Sequence, residues 1–188
     1  MPKKKALKQA PRSISLVTKL LILFGGLLVL IPSLFYVNQT IQLAYFTPKV
    51  PHITRTLPPP TSISIAAISL ELPIEEAGIT NNAWGVSNQG ASHLAISANP
   101  GEQGPIILYA HNTDDRFGPI RWLDTGKEIL VTTADKKVHR YVVEKTAVVD
   151  PTQTKIFFSR HGETLYLYTC DGFADLKRFV VIALPTRK

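Results

Sequence analysis

Cysteine is almost absent from this chain, with Cys170 the only one in 188 residues. An internal disulfide is thereby excluded, and so is a metal centre built from several thiolates. The five histidines include no His-x-x-x-His pair, and the carboxylates form no tight cluster, so no metal-ligand spacing is present. A basic folded domain is missing as well. The chain has 21 Lys+Arg and 14 Asp+Glu, but six of the basic residues (Lys3, Lys4, Lys5, Lys8, Arg12, Lys19) fall in an N-terminal stretch without any acid, leaving 15 against 14. A nucleic-acid-binding domain concentrates positive charge on its folded part, so no nucleic-acid partner is expected.

Charge is lacking altogether between residues 20 and 48. The apolar part of that stretch is long enough to cross a bilayer core, which takes roughly 20 residues at helical rise. The basic flank before it predicts a single-pass membrane protein with a cytoplasmic N-terminus and an exported remainder. A cleaved signal sequence ends in a small-x-small site after a shorter apolar region. Gln42-Leu43-Ala44 matches that poorly, so a retained anchor is the better reading. Anionic inner-leaflet lipid is the partner expected for the basic tail.

The organisation that follows is a cytoplasmic tail over 1–19, a transmembrane anchor over 20–38, a linker over 39–61 and a folded domain over 62–188. The linker contains Pro48, Pro51, Pro58, Pro59 and Pro60, a composition that forms a semi-rigid extended spacer. The same tract is open to a second role, as a lid over a cleft. Beyond it there is no low-complexity segment and no internal repeat. The domain has the size of a single core.

Within the domain, compact apolar runs at 63–70 and 105–110 read as strands, and 128–133 and 138–143 flank Ala134-Asp135-Lys136-Lys137 as a hairpin. Further strands are predicted at 145–149, 164–169 and 178–184, all rich in β-branched or aromatic residues. Helical turns are predicted at 74–78 and at 118–123, where Pro119 takes a favourable first position. Residues 80–104 read as irregular loops with about two short strands. Many short strands divided by Gly, Pro and Asp turns predict an all-β, closed barrel with one or two short helices.

Three residues stand at the ends of apolar strands: His111 after Ile106-Ile107-Leu108-Tyr109-Ala110, Cys170 after the run 164–169, and Arg178 before Phe179-Val180-Val181-Ile182-Ala183. A thiol is mostly protonated at neutral pH, and a neighbouring imidazole can take its proton or, as imidazolium, stabilise the thiolate. A guanidinium stays charged and can donate to the oxygen that becomes negative when the thiolate attacks a carbonyl. Together the three make a sufficient acyl-transfer set. Taken alone, Cys170 reads as a buried structural thiol sooner than as a reactive one, and Lys177 or Arg160 could supply the positive charge in place of Arg178. His93, near the candidate strand 94–97, is the one serious substitute for His111. His52, His139 and His161 fall in the linker, a hairpin strand and a turn. Trp84 and Trp122 read as core or groove-edge aromatics, and Asp114-Asp115 as a solvated turn.

The run Thr164-Leu165-Tyr166-Leu167-Tyr168-Thr169-Cys170 resembles the TLxTC-type signature of the sortases, with two residues added before its Thr-Cys end. Ile107-Leu108-Tyr109-Ala110-His111, followed by Phe117 and Arg121-Trp122-Leu123, resembles the family's histidine strand and the turn after it. Gly126-Lys127-Glu128-Ile129, Val148-Val149-Asp150-Pro151 and Arg178-Phe179-Val180-Val181 resemble three further family segments in the family's order. The resemblance implies a sortase-like closed β-barrel and a membrane-anchored cysteine transpeptidase, a thiol peptidase that acts at the cell surface. In that reading Cys170 is the nucleophile, His111 the general acid/base, Arg178 the group that stabilises the oxyanion or positions substrate, and Thr169 a residue of the substrate pocket. It also implies cleavage of a C-terminal LPXTG-like sorting signal through a thioester and transfer to a cell-wall peptide or a pilin lysine. No redox or organic cofactor is implied; calcium stimulates some members, but no comparable acidic cluster is assignable here.

Two departures from the family pattern carry consequences. Ala110-His111-Asn112 stands where Gly-His-Arg is commoner, and the segment 171–177 between Cys170 and Arg178 is short. Asp171, beside the thiol, would by itself disfavour the thiolate. Two other functions compete: a membrane-tethered binding module with the same barrel but no turnover, and an L,D-transpeptidase-like cell-wall enzyme. The latter places its histidine just before the nucleophile, whereas His161-Gly162 here is separated from Cys170 by a whole strand.

Overall fold

The computed structural model describes residues 15–45, 55–80, 83–153, 156–157, 161–172 and 175–186. The chain divides into two compact units, Met1–Tyr45 and Phe46–Lys188. In the first, a single helix, α1, spans Leu16–Tyr45. Its start is set by Ser15, whose hydroxyl accepts the Thr18 N–H at 3.3 Å. Lys19 therefore lies inside the helix rather than before it. Leu16–Leu34 has a mean hydropathy of 2.2 and is long and apolar enough to cross a membrane. Pro32 sits inside the helix and removes one backbone donor, while the Ser33 hydroxyl bonds back to the Val29 carbonyl at 2.7 Å.

The second unit is an eight-stranded closed barrel. Its strands are β1 (Pro60–Ile65), β2 (Leu70–Ala77), β5 (Ala91–Leu94), β6 (Pro105–Tyr109), β7 (Glu128–Thr133), β8 (Val138–Val149), β9 (Thr164–Asp171) and β10 (Lys177–Pro185), with β3 (Ile79–Thr80) and β4 (Ala83–Trp84) forming a separate small ladder. Around the barrel the order is β1-β2-β5-β6-β9-β10-β8-β7, closed by β7 on β1. Most neighbours are antiparallel; β2 with β5 and β6 with β9 are parallel. Closure leaves no free edge among the eight.

Alternation of side chains builds two apolar layers. Ile63, Leu72, Ala91, Ile106, Leu108, Ile129, Tyr141, Leu165, Leu167 and Val181, drawn from all eight strands, fill the interior. The intervening residues of three adjacent strands, Ile107, Tyr109, Tyr166, Val180 and Ile182, pack on the outside with Leu94 and Phe157. Each of these large side chains contributes roughly 1.5–3 kcal/mol by leaving water. The β6-β9-β10 wall is therefore buried on both faces and stiff.

Three expectations are corrected. Residues 74–77 are strand, not a helical turn: Leu70, Leu72 and Ile74 point inward in period two, which places Glu71, Pro73 and Glu75 outside. The run 63–70 is not one strand but two, parted by a 3-10 turn at Ala66–Ile68 and by Ser69 in the left-handed region, φ 51. That turn makes β1 and β2 a hairpin, with Ile65 opposite Leu70. The predicted strands 138–143 and 145–149 are one strand, β8, whose register against β10 shifts between Ile182 and Ala183, passing over Glu144. Residues 80–104 hold the two short strands expected there, β4 and β5, besides the last residue of β3.

Of the proline-rich tract, residues 46–54 lie outside the described residues. Its end is fastened to the barrel. The buried Glu102 carboxylate accepts the Thr56 and Leu57 N–H groups and, at 2.8 Å, that of Asn99. Arg55 pairs with Glu76 at 2.9 Å and bonds the Ala95 carbonyl. The loop carrying Asn99 and Glu102 leads into the start of β6, so residues 55–57 sit at the end of the barrel away from His111.

Candidate active site

Cys170 is set by the ladder on either side of it. It lies directly opposite Arg178 in the antiparallel β9–β10 pair. On its other side β9 runs parallel to β6, with Leu108 opposite Leu167 and Tyr109 opposite Tyr168. The pairing is carried beyond β6 by the Ala110 N–H, which donates to the Tyr168 carbonyl at 3.3 Å, and by the Thr169 hydroxyl, which donates to the Ala110 carbonyl at 2.9 Å. His111 thus leaves β6 level with Cys170.

The pleat fixes the face. Tyr109 and Tyr168 belong to the outer layer; Cys170 stands two residues beyond Tyr168 within β9, on the same side, and His111 two residues beyond Tyr109, just past the end of β6. Arg178 stands two residues before Val180, also on the outer side. Cys170 and Arg178 therefore project from one face, and His111 follows β6 at the same end of these three neighbouring strands. Their floor is aromatic: Trp84 packs against Tyr109 at 5.1 Å and Tyr168 at 5.7 Å between ring centroids, and Phe157 meets Tyr166 and Tyr168 edge-on. The Tyr109 hydroxyl donates to the Gly85 carbonyl, which holds the segment after β4 against β6.

Electrostatics around the thiol are mixed. Cys170 is half-buried, and burial pushes its thiol above the ordinary range; the Arg178 charge works against that rise and Asp175 adds to it. Burial likewise raises the Tyr168 phenol, while the charge of Arg178 and a hydrogen bond from it work in the lowering direction. Arg178 thus acts on the thiol and on the aromatic floor at once. Its guanidinium is steadied by the carbonyls of Asp175 and, at 2.8 Å, Lys177. Lys177 itself is engaged with Asp150 at 2.5 Å, and Arg160 lies outside the described residues.

The feared neighbour of the thiol is the wrong acid. Asp171 lies beside the Arg121 guanidinium, 3.8 Å from Nη2, and the acid whose charge reaches Cys170 is Asp175, in the left-handed region at φ 57. Sequence reasoning could not see this, because it depends on how the short connection from β9 to β10 folds.

Thr169, expected in the substrate pocket, is 1% exposed and on the inner side of β9, with its hydroxyl spent on Ala110. His93 is fully buried. Its Nδ1 meets the Glu76 carboxylate and its Nε2 the Ala98 carbonyl at 3.0 Å, and it pairs across the ladder with inward-facing Leu108. It is thus turned away from Cys170. Glu76 is itself desolvated, which would raise its carboxyl, but hydrogen bonding and charge from His93 and charge from Arg55 bring it below the usual range. His161 lies at the opposite end of β9 from Cys170, His139 on β8, and His52 outside the described residues. Trp84 is a groove-floor aromatic, whereas Trp122 is 75% exposed. Among the described residues, no three His, Cys, Asp or Glu side chains converge as a metal site.

The barrel order and this cluster define a class, and comparison with known proteins agrees with it. The sortase domain family matches residues 63–186. The chain belongs to the sortase family, whose members are cysteine transpeptidases. Among solved structures, sortase C from Clostridium perfringens SM101 is 23% identical, with 68% of this chain and 69% of that one covered and a TM-score of 0.55. Sortase C2 of Group B Streptococcus Pilus Island 1 is 25% identical, covering 67% and 73%, with a TM-score of 0.58. A lid mutant of sortase A from Corynebacterium diphtheriae is 23% identical, covering 77% and 78%, with a TM-score of 0.57. No curated protein sequence matches the chain.

Proposed function

We propose that this chain is a membrane-anchored sortase-type cysteine transpeptidase that cleaves a C-terminal LPXTG-like sorting signal and passes the acyl group to an amine at the cell surface. What carries the reading is that the strand pairing brings His111, Cys170 and Arg178 to one end of β6, β9 and β10, with Cys170 directly opposite Arg178. The proton of Cys170 goes to His111 as Sγ bonds to the scissile carbonyl carbon, and Arg178 donates to the oxygen that gains charge. His111 returns the proton to the departing glycine nitrogen as the C–N bond breaks, leaving a thioester. An acceptor amine then attacks that carbonyl, gives its proton to His111, and displaces the thiolate with formation of a new amide.

A raised thiol pKa favours this order of events, since the resting group is a thiol and its proton has to be removed for attack. Thr169 serves the pocket by holding its wall: its bond to Ala110 keeps the end of β6 against β9. The tyrosine, tryptophan and phenylalanine floor offers an apolar bed for a peptide side chain. The basic residues before α1 support a cytoplasmic N-terminus and an exported barrel, where a cell-wall peptide or a pilin lysine would serve as acceptor. No cofactor enters these steps.

The test is a library of fluorogenic sorting peptides incubated with the full chain in detergent, with and without an amine nucleophile. Cleavage that an amine accelerates and that Cys170→Ala abolishes is expected. An alanine variant as active as the parent contradicts the reading, and peptide binding without cleavage favours the non-enzymatic module.

A further inference from the structure

Arg121 bridges the two strand ends that carry the reacting groups. Its Nη2 donates to Asn112 Oδ1 at 2.5 Å and lies 3.8 Å from Asp171 Oδ1. Asn112 directly follows His111, and Asp171 directly follows Cys170. One guanidinium thus hydrogen-bonds the segment after His111 and forms an ion pair with the residue after Cys170. We propose that Arg121 is a positioning residue that fixes the spacing between His111 and Cys170.

The frame around Arg121 is rigid enough to transmit position. It belongs to a 3-10 turn, Gly118–Trp122, whose neighbours Phe117, Ile120 and Leu123 are buried in the barrel interior. The segment joining His111 to that turn is closed on itself: the Phe117 N–H donates to the His111 carbonyl at 3.1 Å, and the Gly118 N–H to the Thr113 carbonyl at 3.0 Å. A Cβ at Gly118 would stand 2.6 Å from the Thr113 carbonyl oxygen, so only glycine allows this closure. His111 itself is exposed, with backbone contacts on this loop and no buried packing of its own. Its location therefore depends on the loop, and the loop is tied to β9 at this point by Arg121.

The role is positional rather than electrostatic. The charges that act on Cys170 are those of Arg178 and Asp175, whereas Asp171 faces Arg121. The inference rests on reading Cys170 and His111 as the reacting pair, and the experiment separates the two. Iodoacetamide alkylation of Cys170 is followed between about pH 6 and 10 in the full chain, its His111→Ala variant, Arg121→Gln and Asp171→Asn. Transpeptidation kinetics and thermal melting are measured on the same samples.

The parent profile carries a component that His111→Ala removes. In Arg121→Gln the profile moves toward that of His111→Ala, and kcat falls on the order of tenfold with KM unchanged and melting as in the parent. Asp171→Asn shows a smaller loss, and the double variant is no worse than Arg121→Gln alone. An Arg121→Gln profile superimposable on the parent's overturns the proposal, as does a loss that adds independently to that of Asp171→Asn. Where Arg121→Gln does not fold, Asn112→Ala and Asp171→Asn carry the comparison with the same expected direction and the same overturning result. Coincident parent and His111→Ala profiles overturn instead the pairing of imidazole and thiol on which the proposal stands.

Discussion

At the scale of single residues, the thiol is held between one favourable and two unfavourable influences. Burial and Asp175 push Cys170 up and Arg178 opposes them, so removing either charge has a definite sign. Asp175→Asn lowers the pH at which Cys170 alkylates at half its maximal rate, and Arg178→Leu raises it, both read from iodoacetamide kinetics against pH. The opposite order would contradict the placement of the two charges. Thr169 supplies a second residue-scale test. Thr169→Val leaves the buried Ala110 carbonyl without its donor and costs about 1–3 kcal/mol, read from the denaturant midpoint. The strand-end positions of Cys170, His111 and Arg178 were legible in the sequence because each adjoins an apolar run, and strand ends are where a stiff sheet presents polar groups. Asp175, Arg121 and the inward turn of Thr169 were not legible, since each depends on which loop meets which strand end rather than on local spacing.

At the scale of elements, the parallel pairing of β6 with β9 does most to assemble the site, because it brings two segments separated by the whole β7–β8 hairpin to the same level. Most strands could be read from alternation and β-branched content. Residues 74–77 were misread because Glu75-Glu76-Ala77 has helical propensity, which inward burial of Ile74 and pairing with β5 override. The kink after residue 65 was hidden inside one continuous apolar run. The segment at residues 55–57 is the other element that composition described poorly: it reads as spacer yet is bonded to Glu102 and Glu76. Burial works to raise the Glu102 carboxyl, but N–H groups of Leu57, Asn99 and Thr56 hold it below the usual range. A depressed carboxyl stabilises the fold above the unfolded-state value, about pH 4.3, and that contribution is lost as pH falls through the folded value. Glu102→Gln therefore destabilises the fold at neutral pH by about 1–3 kcal/mol, read from the denaturant midpoint, and its difference from the parent shrinks in acid. A difference independent of pH would contradict this account.

At the scale of the whole molecule, an apolar helix and a closed barrel are separate units joined through a proline-rich tract. The near-neutral charge of the residues after Lys19 and the basic N-terminal tail were readable from composition alone, and they favour a membrane orientation over a nucleic-acid role. The central claim is that Cys170 forms a covalent thioester with a peptide. It is tested most directly by intact-mass measurement of the full chain quenched in acid during turnover of a sorting peptide. A mass increase equal to the acyl fragment, located on Cys170, released by hydroxylamine and absent from Cys170→Ala, is the predicted result. Turnover that proceeds with no adduct on Cys170, or with the same adduct in the alanine variant, would contradict it.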